Sequence, residues 1–254
     1  MPGDLTISLV IPCYNEEVNI QKGVLDKIGN YTDNNKLFGE VIIVDDGSLD
    51  NTKKIIQTRY LPKFAKFRLI ANPHQGKAYA VITGIKEAHG QYVMFSDIDL
   101  ATPLEESDRL ISQINHGYQI IIGSRNDKRD DAPLLRKIMA IGFIYIRNIF
   151  IGLKGIKDTQ CGFKLFKKEA ALQIIENLRV FKHRHKIRGS SVSAGFDLEF
   201  LFLAFKFGYK TKEVPVTWRH VETKNVNFFK DSIETLKDIF KIKYNDLKGQ
   251  YTKT

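Results

Sequence analysis

Cysteine is scarce: Cys13 and Cys161 are the two in 254 residues, and they stand far apart. They can form neither a disulfide framework nor a metal-ligand cluster, and such a chain is expected in a reducing cytoplasm. Long apolar runs are missing too. The longest, Ile138–Ile146 (IMAIGFIYI), falls far short of the roughly 20 residues a membrane helix needs. The opening MPGDLTISLVIP has neither the basic start nor the extended apolar region of a signal peptide. No repeat or low-complexity linker interrupts the chain, so a single domain over 1–254 is expected, with a core at about 5–220 and an amphipathic C-terminal helix at about 227–247. Acidic residues are outnumbered 29 to 39, which leaves a net charge of +10. That balance favours anionic partners such as nucleotide phosphates, an acidic membrane surface or nucleic acid. Nucleic acid fits the charge but not the pattern, because the basic residues are not interleaved with aromatics on a recognisable binding module.

What is present is an alternation. Leu5–Ile11, Gly39–Asp46, Phe67–Ala71, Gln91–Asp97 and Gln119–Ser124 are continuous β-branched and apolar runs, the pattern of strands buried on both faces of a parallel sheet. Helical spacing fills the intervals at Glu16–Gly29, Asp50–Tyr60, Gly76–Ala88 and Leu104–Asn115. A βαβα order predicts a doubly wound α/β sheet, with ligands outside the carboxyl ends of the strands. Three of those ends are polar: PCYNEE, DDGSLD and DIDLATP. Farther along, Leu134–Leu153 is helical and apolar nearly all round, either core or interfacial. Asp158–Phe166 reads as a loop entering a strand, Gly195–Gly208 as a helix and Tyr209–Trp218 as a last strand.

Asp97 and Asp99 place two hard oxygen donors at one strand end, where a divalent cation such as Mg²⁺ or Mn²⁺ could neutralise them while holding a diphosphate. The same residues have a structural alternative as a turn or cap, with Thr102 and Glu105 forming a capping box. Asp45 and Asp46 could accept from a base or sugar, while Gly47, Ser48 and Asp50 suit a strand-to-helix turn. Asn15 is a candidate helix cap. Lys77, in NPHQGKA, could bring a cation and helix amides to phosphate, although the spacing is not that of a P-loop; His74 reads as an exposed loop residue.

Taken in order, IPCYNEE, VDDGSLDNT, HQGKAYAV, SDIDLATP, GSR, DTQCGFKLF and VPVTWRHV resemble family 2 inverting glycosyltransferases of the GT-A, Rossmann-like fold, over about Leu5 to Leu247. More narrowly they resemble the branch that transfers a hexose to a polyprenyl phosphate, the dolichyl-phosphate β-glucosyltransferase type. The resemblance assigns Pro12, Tyr14, Asn15, Glu16, Asp45, Asp46, Ser48, Lys77, Asp97 and Arg125 to the donor, with UDP-glucose expected, and Asp97 and Asp99 to the metal. Asp99, Asp197 and Asp158 become the candidate catalytic carboxylates, with Glu199 near Asp197. A phosphate acceptor needs cations rather than a strong base, and Lys164, Arg219 and Lys224 are the candidates. An acceptor hydroxyl would instead need Asp197 as base. A nucleotide-sugar-binding protein without turnover is the alternative of another class.

The expected attachment is peripheral, on the cytoplasmic side of an anionic membrane. Phe229, Ile233, Leu236, Phe240, Tyr244 and Leu247 form one apolar stripe, with Lys230, Lys237, Lys241 and Lys248 beside it. That layout suits either an interfacial helix or one docked on the core with its lysines in water. The loop Phe181–Gly189 is a further basic segment facing donor, lipid or solvent.

Overall fold

Phe67–Ala71 forms the expected strand residue for residue, and the other four apolar runs of the first half form strands within two residues of their expected bounds. The computed structural model describes residues 5–125, 142, 145–153, 155–181, 194–219 and 228–253. Its strands are β1 (Ile7–Cys13), β2 (Phe38–Asp45), β3 (Phe67–Ala71), β4 (Tyr92–Ser96), β5 (Ile120–Arg125), β6 (Phe163–Lys167) and β7 (Thr211–Val216). They join in one sheet of order β3-β2-β1-β4-β6-β5-β7. All run parallel except β6, which lies antiparallel between β4 and β5.

The continuous apolar runs follow from two covered faces. Leu9 and Ile11 of β1 enter one core with Ile20, Leu25 and Ile28, whereas Val10 enters the other with Val81, Ile85 and Leu201. Each such fully buried side chain contributes roughly 1.5–3 kcal/mol from apolar burial. Pro12 is tolerated in this central strand because pairing with β4 ends at Val10↔Phe95, so its missing N–H falls beyond that ladder.

The helices depart from their expected outlines for local reasons. Glu16–Gly29 is two helices, Glu17–Gln21 and Val24–Asn34, broken at Gly23 with φ +80°. Asp50–Tyr60 starts as α-helix at Thr52–Ile55 and widens into a π-turn over Ile56–Tyr60. Leu104–Asn115 begins and ends in 3₁₀ turns around Ser107–Ile111. Its expected capping box does not form: Pro103, not Thr102, stands at the helix start, and no side chain caps it. A helix at Lys168–Asn177 lies where no element was expected, although Ala170, Ala171, Ile174 and Ile175 bury one face at helical spacing.

Most of the expected helix Leu134–Leu153 lies outside the described residues. Its end, 145–151, is helical, and it divides between the two readings, with Ile151 buried and Tyr145 and Ile149 exposed. Helix Phe228–Leu247 packs on helix Ala194–Lys206. It docks through Thr235, Asp238, Ile239 and Ile242 together with Leu236 of the apolar stripe, whose Ile233, Phe240, Tyr244 and Leu247 are exposed.

Helix Lys77–Glu87 carries Lys77 at its first position and lies against β1. The approach is close at Gly84, where a Cβ would overlap both methyl groups of the buried Val10. Gly84→Ala is therefore expected to destabilise the fold by about 1–3 kcal/mol in urea unfolding. Combining it with Val10→Ala should cost less than the sum of the two single changes.

Candidate active site

At the carboxyl ends of β1 and β2 the two loops brace each other. The Asn15 amide, in a residue with φ +54°, donates to Ser48 Oγ (2.9 Å), and the Leu49 amide returns a bond to Asn15 Oδ1 (2.8 Å). Glu16 N donates to Thr52 Oγ1 (2.8 Å), and the Glu16 carboxylate takes the Asn19 side-chain amide (2.6 Å). Asn15 is thus a loop tie, not the expected helix cap, and Ser48 likewise receives a neighbouring loop instead of capping its own helix. Asp50 accepts from Thr52 N and from Glu17 N, serving both helix starts.

The paired aspartates of β2 are occupied. Asp45, buried, accepts from Ser48 N. Asp46 is 2% exposed and accepts from His74 Nδ1 (2.8 Å), Gln75 N (3.0 Å) and Gly76 N (2.7 Å). Its oxygens organise the turn that launches helix Lys77–Glu87. His74, expected to be an exposed loop residue, stacks on Tyr14 with ring centroids 4.0 Å apart and planes 15° apart. Its signal in the sequence was only its place beside Gly76, because the partner lies at the end of β1.

The corner after β4 differs. Ile98 points into the core, which turns its neighbours Asp97 and Asp99 outward together. Asp97 N donates to Gly162 O (3.1 Å), and a Cβ at Gly162 would overlap the Asp97 carboxylate. Asp99 Oδ1 accepts from Ala101 N (3.0 Å) in a turn that sets Leu100 at φ +52°; Oδ2 is not drawn into that turn. Burial, with Asp97 adding to it, holds the Asp99 carboxyl above its ordinary value against the Ala101 bond and the charge of Lys77. Asp97 Oδ1 is buried against Lys77 Nζ, whose ammonium forms an ion pair with it. Burial works to lower the Lys77 ammonium, but Asp97, Asp197 and Asp99 outweigh it and hold it above the usual lysine range.

Asp197, from helix Ala194–Lys206, meets Lys164 of β6 at 2.6 Å. Lys164 is 2% exposed, with its ammonium 5.0 Å from the Phe95 ring centroid. Lys77, Phe95, Gln160, Gly162, Lys164 and Asp197 line one hollow. A second, sharing Gln160 and Gly162, is bounded by Asp97, Thr102, Arg125 and Trp218. Arg125 grips Asp158 with two bonds, Nε at 2.7 Å and Nη2 at 2.9 Å. The amides of Arg125 and Gln160 complete the carboxylate's shell. Burial raises the Asp158 carboxyl, but these bonds and the Arg125 charge hold it below its ordinary value. In this arrangement Asp158 anchors the Arg125 side chain. Glu199 is fully buried on the amides of Arg179, Val180 and Phe181 and on the Tyr251 hydroxyl, so it ties the chain's end to the core.

Arg219 is exposed and donates its amide to Ala101 O (2.8 Å), which puts it beside the Asp99 turn. Lys224 and most of Phe181–Gly189 lie outside the described residues. Among the described residues, no cluster of three His, Cys, Asp or Glu could hold a metal by itself. A hard divalent cation nevertheless fits Asp97 and Asp99: one buried oxygen is met by the Lys77 ammonium and not by a backbone amide, another stands outside the Asp99 turn, and glycine keeps the cradle open. Its other ligands would have to come from phosphate and water.

The sequence model described as Glycosyl transferase family 2 matches residues 8–175. The chain belongs to that family. It is 33% identical to a dolichyl-phosphate beta-glucosyltransferase of Dictyostelium discoideum, over 97% of this chain and 76% of that protein. The protein of the same description from Saccharomyces cerevisiae is 31% identical over 98% and 77%, and that from Homo sapiens 30% over 96% and 77%. Among solved structures, glucosyl-3-phosphoglycerate synthase from Mycobacterium tuberculosis in complex with UDP superposes with a TM-score of 0.67 at 18% identity, covering 94% of this chain and 80% of that one. The same enzyme with Mn²⁺, UDP and glucosyl-3-phosphoglycerate gives 0.66 at 19%, covering 93% and 79%. This family 2 member is thus a glycosyltransferase of GT-A fold, as its ordered motifs implied.

Asp158→Asn would leave Arg125 without its counter-charge and is expected to lower unfolding free energy by about 3 kcal/mol at pH 7. Because the folded pKa lies below the unfolded value of about 3.9, the wild-type advantage is complete above that value. It should disappear as the pH falls through the lowered folded value. Denaturant unfolding of both proteins at a series of pH values checks this.

Proposed function

We propose that this glycosyltransferase moves glucose from UDP-glucose to a polyprenyl phosphate of the dolichyl type, with inversion at the anomeric carbon. The observation that carries the reading is the corner where Asp97 and Asp99 converge beside Lys77, opening on the hollow that holds Asp197 and Lys164. A divalent cation held by the two aspartates would supply Lewis-acid stabilisation of the departing diphosphate. Lys77 adds a positive charge at the start of its helix, a donor that can meet the negative charge as it develops. Tyr14, backed by His74, presents a flat ring at the β1 end of the cleft for the base. Asp46, Asn15 and Ser48 act on the donor indirectly, by holding the loops around it. Arg125, locked to Asp158, presents its guanidinium toward Trp218, 5.9 Å from the ring centroid.

A phosphate monoester is largely a dianion at neutral pH and attacks without a strong base. Lys164 already spends its charge on Asp197, so Arg219 beside the Asp99 turn and Lys224 are the acceptor's cations in this reading. A sugar hydroxyl as acceptor is the second reading, favoured by the position of Asp197 in the hollow, where it could take a proton. The two divide on Asp197→Asn: turnover survives with a phosphate acceptor and is abolished with a hydroxyl. The deciding experiment incubates the protein with Mn²⁺, a panel of nucleotide sugars and a short polyprenyl phosphate, and identifies products by mass. Glucosyl polyprenyl phosphate from UDP-glucose is expected. Asp97→Asn and Asp99→Asn should each reduce its formation by about a hundredfold or more. Binding of nucleotide sugar without any product would leave only a binding protein.

The same reading puts the protein peripherally on the cytoplasmic face of an anionic membrane. No helix among the described residues is long and apolar enough to cross one. Ile233, Phe240, Tyr244 and Leu247 are 53–76% exposed, and Tyr145 and Ile149 extend the same character on a helical stretch that meets the last helix where Phe150 contacts Phe240. Lys237, Lys241 and Lys248 are exposed beside them, placed to meet lipid phosphates while the aromatics enter the interface. Vesicles containing anionic lipid should retain the protein and release it in high salt. Replacing those three lysines with glutamine should weaken retention by about tenfold or more, whereas equal sedimentation with neutral and anionic vesicles would refute the surface.

A further inference from the structure

Lys77 Nζ sits against Asp97 Oδ1, the buried oxygen best placed for a divalent cation. An ammonium on a carboxylate oxygen takes one of its lone-pair directions and repels a metal ion brought to the same atom, so the two compete for it. The surrounding charges decide which of them holds it. Asp97, Asp99 and Asp197 converge here, and the lysines that answer them are Lys77 and Lys164. Lys164 is buried to 2% exposure and committed to Asp197 at 2.6 Å, whereas the Lys77 side chain is 31% exposed. Lys77 can therefore swing on its flexible stem while Lys164 is held. A cation arriving alone would have to expel Lys77 from Asp97 and leave its ammonium without that partner. A cation arriving with a nucleoside diphosphate brings the anion that Lys77 can take instead.

Resting on the donor-site reading above, we propose that Lys77 is an exchangeable counter-charge that competes with the divalent cation for Asp97 and is released by the donor's diphosphate, so that cation and nucleotide bind cooperatively. The coupling belongs to binding free energies and is reciprocal: the nucleotide tightens the cation by the same factor as the cation tightens the nucleotide.

The experiment measures Mn²⁺ binding to the full chain by electron paramagnetic resonance, with and without UDP. In wild type, UDP should tighten Mn²⁺ by about tenfold or more. In Lys77→Met, Mn²⁺ alone should bind about tenfold or more tighter than to wild type, and the added effect of UDP should shrink. Lys77→Arg, which keeps the charge, should retain the weak binding of Mn²⁺ alone. Mn²⁺ binding to Lys77→Met no tighter than to wild type, while wild type still responds to UDP, overturns the exchange and leaves the donor site standing. A wild type that takes no Mn²⁺ even with UDP overturns both. Circular dichroism establishes that Lys77→Met is folded; Lys77→Gln replaces it if it is not, with the same two outcomes.

Discussion

Three carboxylates brought to one sheet edge repel one another, and the whole site is organised around that repulsion. Asp97 and Asp99 come from the end of β4 and Asp197 from a helix a hundred residues later, so no local turn could keep them apart. Two lysines on other elements answer them: Lys77 at the first turn of its helix and Lys164 within β6. Lys164 reaches its place because β6 runs against its neighbours and pairs Phe95 with Lys164 and Ser96 with Phe163. A parallel strand in that position would enter from the opposite edge. The reversal also sets Gly162 against Asp97, where a larger residue would displace the carboxylate. One antiparallel strand thus supplies both the counter-charge and the room.

Around this centre, several acidic residues that look like ligands are scaffolding. Asp46, Asp50, Asp158 and Glu199 each accept hydrogen bonds from backbone amides, a stabilising use of a carboxylate because it satisfies amides that a loop would otherwise leave unpaired. The sequence presents the same letters for a carboxylate that binds a ligand and one that binds its own chain. Only the three-dimensional partner separates them, and the partners of Asp46 and Asp158 lie 28 to 33 residues away. The site was therefore legible as a set of loops at the right strand ends and much less legible as a set of roles.

The fold was more legible, for a physical reason. Strands buried on both faces must be continuously apolar, and the five runs that meet that demand became β1 to β5. Helix outlines were legible less finely, since Gly23 and Gly117 end turns by adopting positive φ that composition alone does not announce. The direction of β6 left no mark in its own residues. The last helix deceived in a different way. Four residues of its apolar stripe, Ile233, Phe240, Tyr244 and Leu247, face outward, while the docked face mixes Leu236, Ile239 and Ile242 with Thr235 and Asp238. Hydrophobic periodicity finds the face that avoids water, but it does not say whether protein or another apolar phase is to cover it.

That outward face is joined to the cleft through a chain of polar contacts. Arg147, on the same helical stretch as the exposed Tyr145 and Ile149, is 1% exposed and points its guanidinium at the carbonyls of Ile156 and Lys157. Burial lowers its pKa, against the charges of Glu213 and Asp158. Glu213 then takes the amides of Lys157 and Asp158, and Asp158 holds Arg125 at the wall of the second hollow. Each link satisfies a group that would be costly to bury alone. A displacement of the Arg147 stretch would leave carbonyls, amides or a guanidinium unpaired, so the surface helix and the Arg125 wall are constrained to keep one geometry.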